Sequence, residues 1–130
     1  MRRRAGVVAG LAGLTALAAS AALVVGPSAA TDQAMAKTER VLVADDYFAP
    51  ADLKVKPGTK VKWKWSPNNL DTHNVVLKNG PRGVRKRDFR SASGSIGIRF
   101  AKKFKKPGAY DFVCTFHKSV MKMTVKVKKR

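Results

Sequence analysis

Lysine and apolar residues alternate strictly over one run of seven residues, and this pattern limits what the chain can form there. Within positions 59–65, lysine occupies 60, 62 and 64, and valine or tryptophan occupies 61, 63 and 65. Side chains alternate between the two faces of a strand, whereas a helix brings them to one side every 3.6 residues. The run therefore predicts a strand with one buried face and one face of exposed lysines.

The same period of two recurs along the chain, and no stretch after residue 36 shows a convincing helical period. Turn residues such as Pro57-Gly58 separate the runs. Many short strands of this kind predict an all-β fold of two packed sheets. The residues expected to share an inward face within a run are Leu53 and Val55; His73, Val75 and Leu77; Ile96, Ile98 and Phe100; Tyr110, Phe112 and Cys114; Met121, Met123, Val125 and Val127.

One segment, Lys78–Ser95, breaks the alternation. It contains three glycines, one proline and five arginine or lysine residues after position 81. Glycine and proline favour turns, and charged side chains favour solvent. We expect a long, basic and exposed loop here.

The N-terminus has the composition of an export signal. Arg2, Arg3 and Arg4 precede an uncharged stretch that runs to Ala30, and small residues follow. This pattern predicts a signal peptide over residues 1–30, cleaved between about 30 and 36, then a flexible tail over 31–38 and one domain over 39–130. An uncleaved membrane anchor is the alternative, because the apolar stretch is long enough to span a bilayer. The paired arginines are compatible with export by either the Sec pathway or the twin-arginine pathway. The mature chain is expected in the periplasm, outside the cell or at its surface.

The mature chain would be strongly basic. The protein has 27 basic and 8 acidic residues, and removal of the three arginines of the signal leaves a net charge of about +16. Such a field attracts partners of opposite charge. We expect a partner protein with an acidic surface, and association with an anionic cell surface or membrane is a second expectation. Nucleic acid is not expected for an exported chain. The domain is expected to be a monomer.

Four residues have side chains that suit copper. Cys114 is the only cysteine, so it cannot form an internal disulfide. His117 follows three residues later, Met121 four residues after that, and His73 is the other histidine. One thiolate, two imidazoles and a weak thioether form the ligand set of a type 1 (blue) copper site. Soft sulfur suits Cu(I) and imidazole suits Cu(II), so the set predicts one copper ion that changes oxidation state. Met123 shares a face with Met121 and remains an alternative axial ligand.

The segments around these residues resemble the cupredoxin family, particularly its small plastocyanin-, pseudoazurin- and amicyanin-like members. Val61-x-Trp63 resembles the strand that leads to the first ligand. The run from Asp71 to Val75 matches the motif of the first histidine. Pro107-Gly108-x-Tyr110-x-Phe112-x-Cys114-x-x-His117 matches the ligand motif near the C-terminus, and Phe48-x-Pro50, Leu53-x-Val55-x-x-Gly58 and Thr124-Val125-x-Val127 resemble other strands. The resemblance covers nearly the whole mature domain.

The resemblance implies an eight-stranded Greek-key sandwich with copper at one end. It also implies that the edge of His117 reaches the surface among apolar neighbours, that Asn74 ties the first-histidine loop to the cysteine loop, and that a backbone N–H tunes the sulfur of Cys114. The chain departs from the family at three places. Three residues separate His117 from the methionine, where two or four are common; Met123 stands where glycine is common; and Phe116 stands where proline is frequent.

These residues predict a single-electron carrier that cycles between Cu(II) and Cu(I), with copper held by His73, Cys114, His117 and Met121. An enzyme is not expected, because one copper uses both histidines of the site and no second constellation of acid, base or nucleophile appears. Copper binding for transport, delivery or resistance is the alternative. A third hypothesis is an adhesive sandwich whose basic surface binds wall polymers.

Overall fold

The structure is a computed structural model that describes residues 37–130 and, before them, residues 10, 12, 13, 22 and 26. The predicted signal peptide and most of the predicted tail lie outside the described residues. The chain divides into two units, Met1–Thr31 and Asp32–Arg130, and the described strands all belong to the second. Within the described part of the chain, no helix is long and apolar enough to cross a membrane.

Eight strands and one short 3-10 turn over Lys86–Asp88 make up the regular structure of residues 37–130. The first sheet has the strand order β2-β1-β4-β6 and the second has the order β3-β8-β7-β5. The strands are β1 (Thr38–Ala44), β2 (Tyr47–Ala49), β3 (Asp52–Val55), β4 (Thr59–Trp65), β5 (Val76–Asn79), β6 (Arg99–Phe104), β7 (Gly108–Val113) and β8 (Lys122–Val127). The predicted eight-stranded, all-β Greek-key sandwich is confirmed.

The period-two pattern places the core between the two sheets. In β4, Val61, Trp63 and Trp65 are buried and the three lysines between them are exposed. In β8, the apolar positions are likewise buried while Lys122 and Lys126 are exposed. The ring of Trp63 lies within 5.2–6.2 Å of three phenylalanine rings contributed by both sheets, measured between centroids: Phe100, Phe104 and Phe112.

Two expectations about the middle of the chain need correction. Ile96 was expected to point inward, but it is 57% exposed and β6 begins only at Arg99. Gly97 has φ of 76°, a left-handed conformation that an extended strand cannot contain. The basic loop before it is also less exposed than expected. Its charged side chains are mostly exposed, but Phe89 packs on the core, with its ring centroid 5.5 Å from that of Phe104.

The topology brings three connecting segments to one end of the sandwich. Strands β4 and β7 both end there, at Trp65 and Val113, and β5 and β8 both begin there. Strand β1 runs parallel to β4, so its turn into β2 lies at the same end. Residues Asp45 and Asp46 form that turn, closed by the pairing of β1 with β2. Loop residues that are far apart in sequence therefore meet at this end.

Candidate metal centre

One thiol and two imidazoles converge at this end. The Nδ1 atom of His73 lies 3.9 Å from the Sγ atom of Cys114, and the Nδ1 atom of His117 lies 3.6 Å from the same sulfur. The ligand atoms of these three residues all lie within 4.8 Å of one another. His73 and Cys114 are fully buried, whereas the side chain of His117 is 24% exposed.

The spacing of the three side chains suits a shared metal ion. Metal–imidazole bonds of about 2.0–2.1 Å and metal–thiolate bonds of about 2.3 Å, at trigonal or tetrahedral angles, put nitrogen and sulfur roughly 3.5–3.8 Å apart. The 3.6 Å separation between His117 and Cys114 falls in this range, and the 3.9 Å separation between His73 and Cys114 lies just above it. The sulfur is soft and the imidazoles are of intermediate softness, which is the donor set that copper prefers. The three residues can therefore hold copper.

Asp45 fixes the orientation of the buried imidazole. Its Oδ1 atom accepts a hydrogen bond of 2.8 Å from Nε2 of His73. With the proton held on Nε2, the Nδ1 lone pair is left facing Cys114, which is the tautomer that a metal ligand requires. Sequence reasoning missed Asp45, because it lies 28 residues before His73. Only the position of the β1–β2 turn brings the two together.

The pKa of Asp45 is lowered from 3.8 to about 2, and the hydrogen bond from His73 is the largest cause. Backbone N–H groups of Leu70 and Asp71 also donate to this carboxylate and contribute to the same lowering. A depressed pKa means that the folded state favours the charged carboxylate. Any stability that this group adds is present above the ordinary pKa of 3.8 and is lost only as the pH falls through about 2.

Asn74 ties the two ligand segments together, as the resemblance implied. Its side-chain oxygen accepts a hydrogen bond of 2.8 Å from the backbone N–H of Thr115, and its side-chain nitrogen donates to the Thr115 hydroxyl, also at 2.8 Å. The nitrogen lies 3.2 Å from the hydroxyl of Ser93 as well. Asn74 is buried, so these bonds satisfy its amide and lock the loop after Cys114 against the loop after His73.

Hydrogen bonds from the last part of the basic loop hold the segment that contains His73. Backbone groups of His73 and Gly94 exchange two hydrogen bonds, of 3.0 and 3.1 Å. The indole N–H of Trp65 is shared between the carbonyls of the same two residues. The hydroxyl of Ser91 accepts a bond from the backbone N–H of Val75. This part of the loop is therefore a scaffold for the site, a role that its composition did not reveal.

The segment from Cys114 to Met121 is closed by its own backbone. The N–H of Cys114 donates to the carbonyl of Met121 at 3.0 Å, and the N–H groups of Met121 and His117 donate to carbonyls within the same segment. Met121 is fully buried. The sulfur of Met123 instead accepts a hydrogen bond of 3.1 Å from the indole N–H of Trp63, on the core side. The sulfur of Met123 is therefore engaged by Trp63, whereas Met121 is buried within the ligand segment.

The exposed edge of His117 has an acidic border. Its Nε2 atom lies 3.7 Å from a carboxylate oxygen of Asp46 and 4.0 Å from one of Asp71. Phe116, next to His117 in sequence, is 54% exposed, and Leu70, three residues before His73, is 89% exposed. The two aspartates do not follow from the sequence pattern, since they come from the β1–β2 turn and from a different loop.

Comparison with known proteins agrees with the fold and the donor set. The sequence pattern of the family described as copper binding proteins, plastocyanin/azurin family, matches residues 36–128. Amicyanin-alpha of Methylorubrum extorquens is 35% identical over 106 residues, which cover 82% of this chain and 86% of that protein. The crystal structure of amicyanin from Paracoccus versutus is 27% identical, with a TM-score of 0.59, and the match covers 72% of this chain and 83% of that one.

A purple cupredoxin from Nitrosopumilus maritimus shares the fold at 22% identity, with a TM-score of 0.57, over 69% of this chain and 99% of that one. A two-sheet sandwich with a buried thiol and two imidazoles at one end defines a cupredoxin-like copper protein. The chain belongs to the plastocyanin/azurin family of copper-binding proteins.

Removal of the Asp45 carboxylate tests the orientation of His73. We expect Asp45→Ala to lower copper affinity about 10- to 100-fold, because Nε2 of His73 loses the partner that fixes its tautomer. Asp45→Asn keeps an acceptor oxygen and should lose less. Competition with a copper chelator measures both. Asp71→Ala removes an equal charge near the site without touching the His73 bond, and equal losses in Asp45→Ala and Asp71→Ala would contradict the role of Asp45.

Proposed function

We propose that this protein carries single electrons on one type 1 copper ion held by His73, Cys114, His117 and Met121. The observation that carries the proposal is the approach of two imidazole Nδ1 atoms to one buried thiol sulfur. Membership of the plastocyanin/azurin family supports the same function. Family members of the amicyanin type carry electrons and are not enzymes, and this chain is assigned to the same class.

The residues around the site favour electron exchange over chemistry on a substrate. Copper in such a site accepts and donates one electron at a time. Cys114 and His73 are fully buried, so water and substrates do not reach them. The hydrogen bond that Asp45 accepts from His73, and those between Asn74 and Thr115, hold the ligand segments in place, which limits rearrangement when the charge of the site changes. His117 is partly exposed and supplies the route to a partner.

A copper-delivery protein could hold its ion with the same ligands, but it must release that ion readily. The present site is held by hydrogen bonds from two loops and by the closed backbone of the segment from Cys114 to Met121, which favours retention. Slow loss of copper to a chelator and a reversible potential support the carrier. Rapid transfer of copper to an acceptor, with poor electron exchange, supports delivery.

The thiolate is tested by Cys114→Ser. We expect the wild-type protein loaded with Cu(II) to be intensely blue, with the EPR signal of a type 1 site, and the variant to lose the blue colour. A hydroxyl cannot form the Cu–S bond from which that colour arises. Circular dichroism of the variant should show that the sandwich is intact. An intensely blue Cys114→Ser protein would overturn the ligand assignment.

We propose Met121 as the axial ligand, because it is fully buried in the ligand segment while the sulfur of Met123 is occupied by Trp63. Met121→Leu should keep a blue site and raise its reduction potential, since a weak sulfur donor stabilises Cu(II) more than Cu(I).

Met123→Leu is the matched control. It should leave the potential close to that of the wild type and lower the free energy of unfolding by about 1–3 kcal/mol, because the buried indole N–H of Trp63 loses its acceptor. Voltammetry and urea unfolding measure the two quantities. A shifted potential in Met123→Leu, with none in Met121→Leu, would place the axial ligand one strand repeat further on.

Export and an acidic redox partner complete the proposal. The predicted signal peptide supports a periplasmic, extracellular or cell-surface location. A basic rim beside the ligand loop supports the choice of partner: Lys78, Lys86 and Lys118 line one surface depression. Lys122 and the exposed arginines of the basic loop add positive charge nearby in sequence. The Asp46 and Asp71 carboxylates border His117 from other segments, so the partner would present its acidic groups to the rim.

Electrostatic steering by this rim is tested with small redox donors. Reduction by an anionic donor should slow as salt rises and the Debye length falls from about 30 Å at 0.01 M to about 8 Å at 0.15 M, and reduction by a cationic donor should accelerate. Replacement of Lys78, Lys86 and Lys118 by glutamine should flatten both profiles. Flat profiles in the wild-type protein would mean that the basic surface does not select a redox partner.

A further inference from the structure

The outward face of the first sheet carries six cations and no carboxylate among its described residues. We define this cationic face by the exposed side chains Arg40, Lys60, Lys62, Lys64, Arg99 and Lys103. The other residues of β1, β4 and β6 on this face are uncharged: Thr38, Leu42, Ala44 and Ala101. None of the six cations forms an ion pair with a carboxylate of residues 37–130. The outward face of the second sheet differs, because Asp52 and Asp111 stand among its lysines.

The register of the strands sets like charges against each other on this face. Lys60 is paired with Lys103, Lys64 with Arg99, and Arg40 with Lys62. Like charges at directly opposed positions destabilise a sheet. Lysines on edge strands prevent edge-to-edge aggregation, but β1 and β4 are interior strands. Edge protection therefore does not explain the cations on these two strands.

A shallow depression of about 400 Å³ opens on the cationic face. Four cationic side chains line it, together with Trp63, Phe100 and Ala101: Arg40, Lys62, Lys64 and Arg99. Ala101 is the partner of Lys62 in the register, and its small side chain leaves room between the longer ones. Guanidinium and ammonium groups around an open depression suit a phosphate-bearing group.

We propose that the cationic face is a docking surface for an anionic lipid bilayer, with lipid phosphates bound among its arginine and lysine side chains. Clusters of four to eight basic residues attract anionic lipid, with about 1 kcal/mol for each residue near the surface. A protein partner would require an apolar centre at its interface. The middle of this face, around Arg40, Lys62 and Ala101, carries no exposed large apolar side chain. The exposed Leu42, Tyr47 and Ile96 lie at one end of it, beside Lys64 and Arg99.

The charges at the metal centre would orient the docked protein. Asp45, Asp46 and Asp71 lie together at the end of the sandwich, around His73 and His117. An anionic bilayer attracts the cationic face more strongly than this end, because the three carboxylates offset the basic rim beside the ligand loop. The edge of His117 would then remain clear of the lipid and accessible to a soluble redox partner. Docking on lipid and electron exchange thus use different surfaces of the molecule.

The test uses the exported, copper-loaded protein with vesicles that contain phosphatidylglycerol and with vesicles of phosphatidylcholine alone. We expect binding to the former, weakened by salt, and little binding to the latter. The phosphatidylcholine control also detects any insertion of the apolar N-terminal stretch, which would bind both vesicles. Replacement of Lys62, Lys64 and Arg99 by glutamine should weaken binding to the anionic vesicles by about 100-fold.

A variant with an equal loss of charge is the control. Replacement of the exposed Lys54, Lys126 and Lys128 by glutamine should weaken binding far less, because these side chains are not on the cationic face. Equal losses in the two triple variants would mean that net charge, and not this face, governs binding, and would overturn the proposal. No preference for anionic vesicles, with tight binding to an acidic protein at this face, would also overturn it.

Accessibility of His117 gives a second readout. We expect a neutral soluble reductant to reduce vesicle-bound and free protein at rates that agree within about twofold. Strong inhibition on binding would show that the metal-centre end meets the lipid, which contradicts the orientation. Vesicle binding is independent of the electron-carrier function, since it can fail while the blue copper spectrum is intact. The reduction rates are compared only for protein whose blue copper spectrum is intact, so that a failed redox site is distinguished from a wrong orientation.

Discussion

The complete burial of His73 is the constraint on which the site depends. A buried imidazole needs a partner for each ring nitrogen, and it can offer a lone pair to a metal only if the other nitrogen holds the proton. Asp45 meets this need at Nε2 and leaves Nδ1 free to face Cys114. The carboxylate is itself held by backbone N–H groups of Leu70 and Asp71. The proton on Nε2 of His73 thus ties the imidazole to the β1–β2 turn through Asp45, which also accepts hydrogen bonds from the segment before His73. The same proton leaves Nδ1 facing the thiol of Cys114.

The same arrangement accounts for negative charge at one end of a strongly basic protein. Asp45 is required by the buried imidazole, and Asp46 follows it in the turn, where its φ of 67° is tolerated better by aspartate than by most residues. Positive charge is instead concentrated on the outward face of the first sheet and beside the ligand loop. A molecule with charge divided in this way can meet an anionic surface in one preferred orientation and leave another surface open.

The first sheet shows how one sequence pattern serves two purposes. In β4 the apolar positions form the core around Trp63, and the lysines between them form the centre of the cationic face. The alternation predicted both the strand and its exposure. It did not predict that Lys64 would stand against Arg99, or that Ala101 would leave a gap beside Lys62, because these pairings depend on the register with β6. Gly97 and the exposed Ile96 show a similar limit, since the turn before β6 overrides the apolar period.

The sequence by itself determined the strand faces, the sandwich and the types of donor atom, because side-chain alternation and sulfur or imidazole chemistry are local properties of the chain. The tertiary structure alone decided which carboxylate partners His73, how Gly94 and the basic loop support it, and why Met121 and Met123 differ. It also decided where the charges gather. These features join residues separated by 21 positions, for His73 and Gly94, to 60 positions, for Trp63 and Met123, and packing of the two sheets brings them together in ways that no local pattern records.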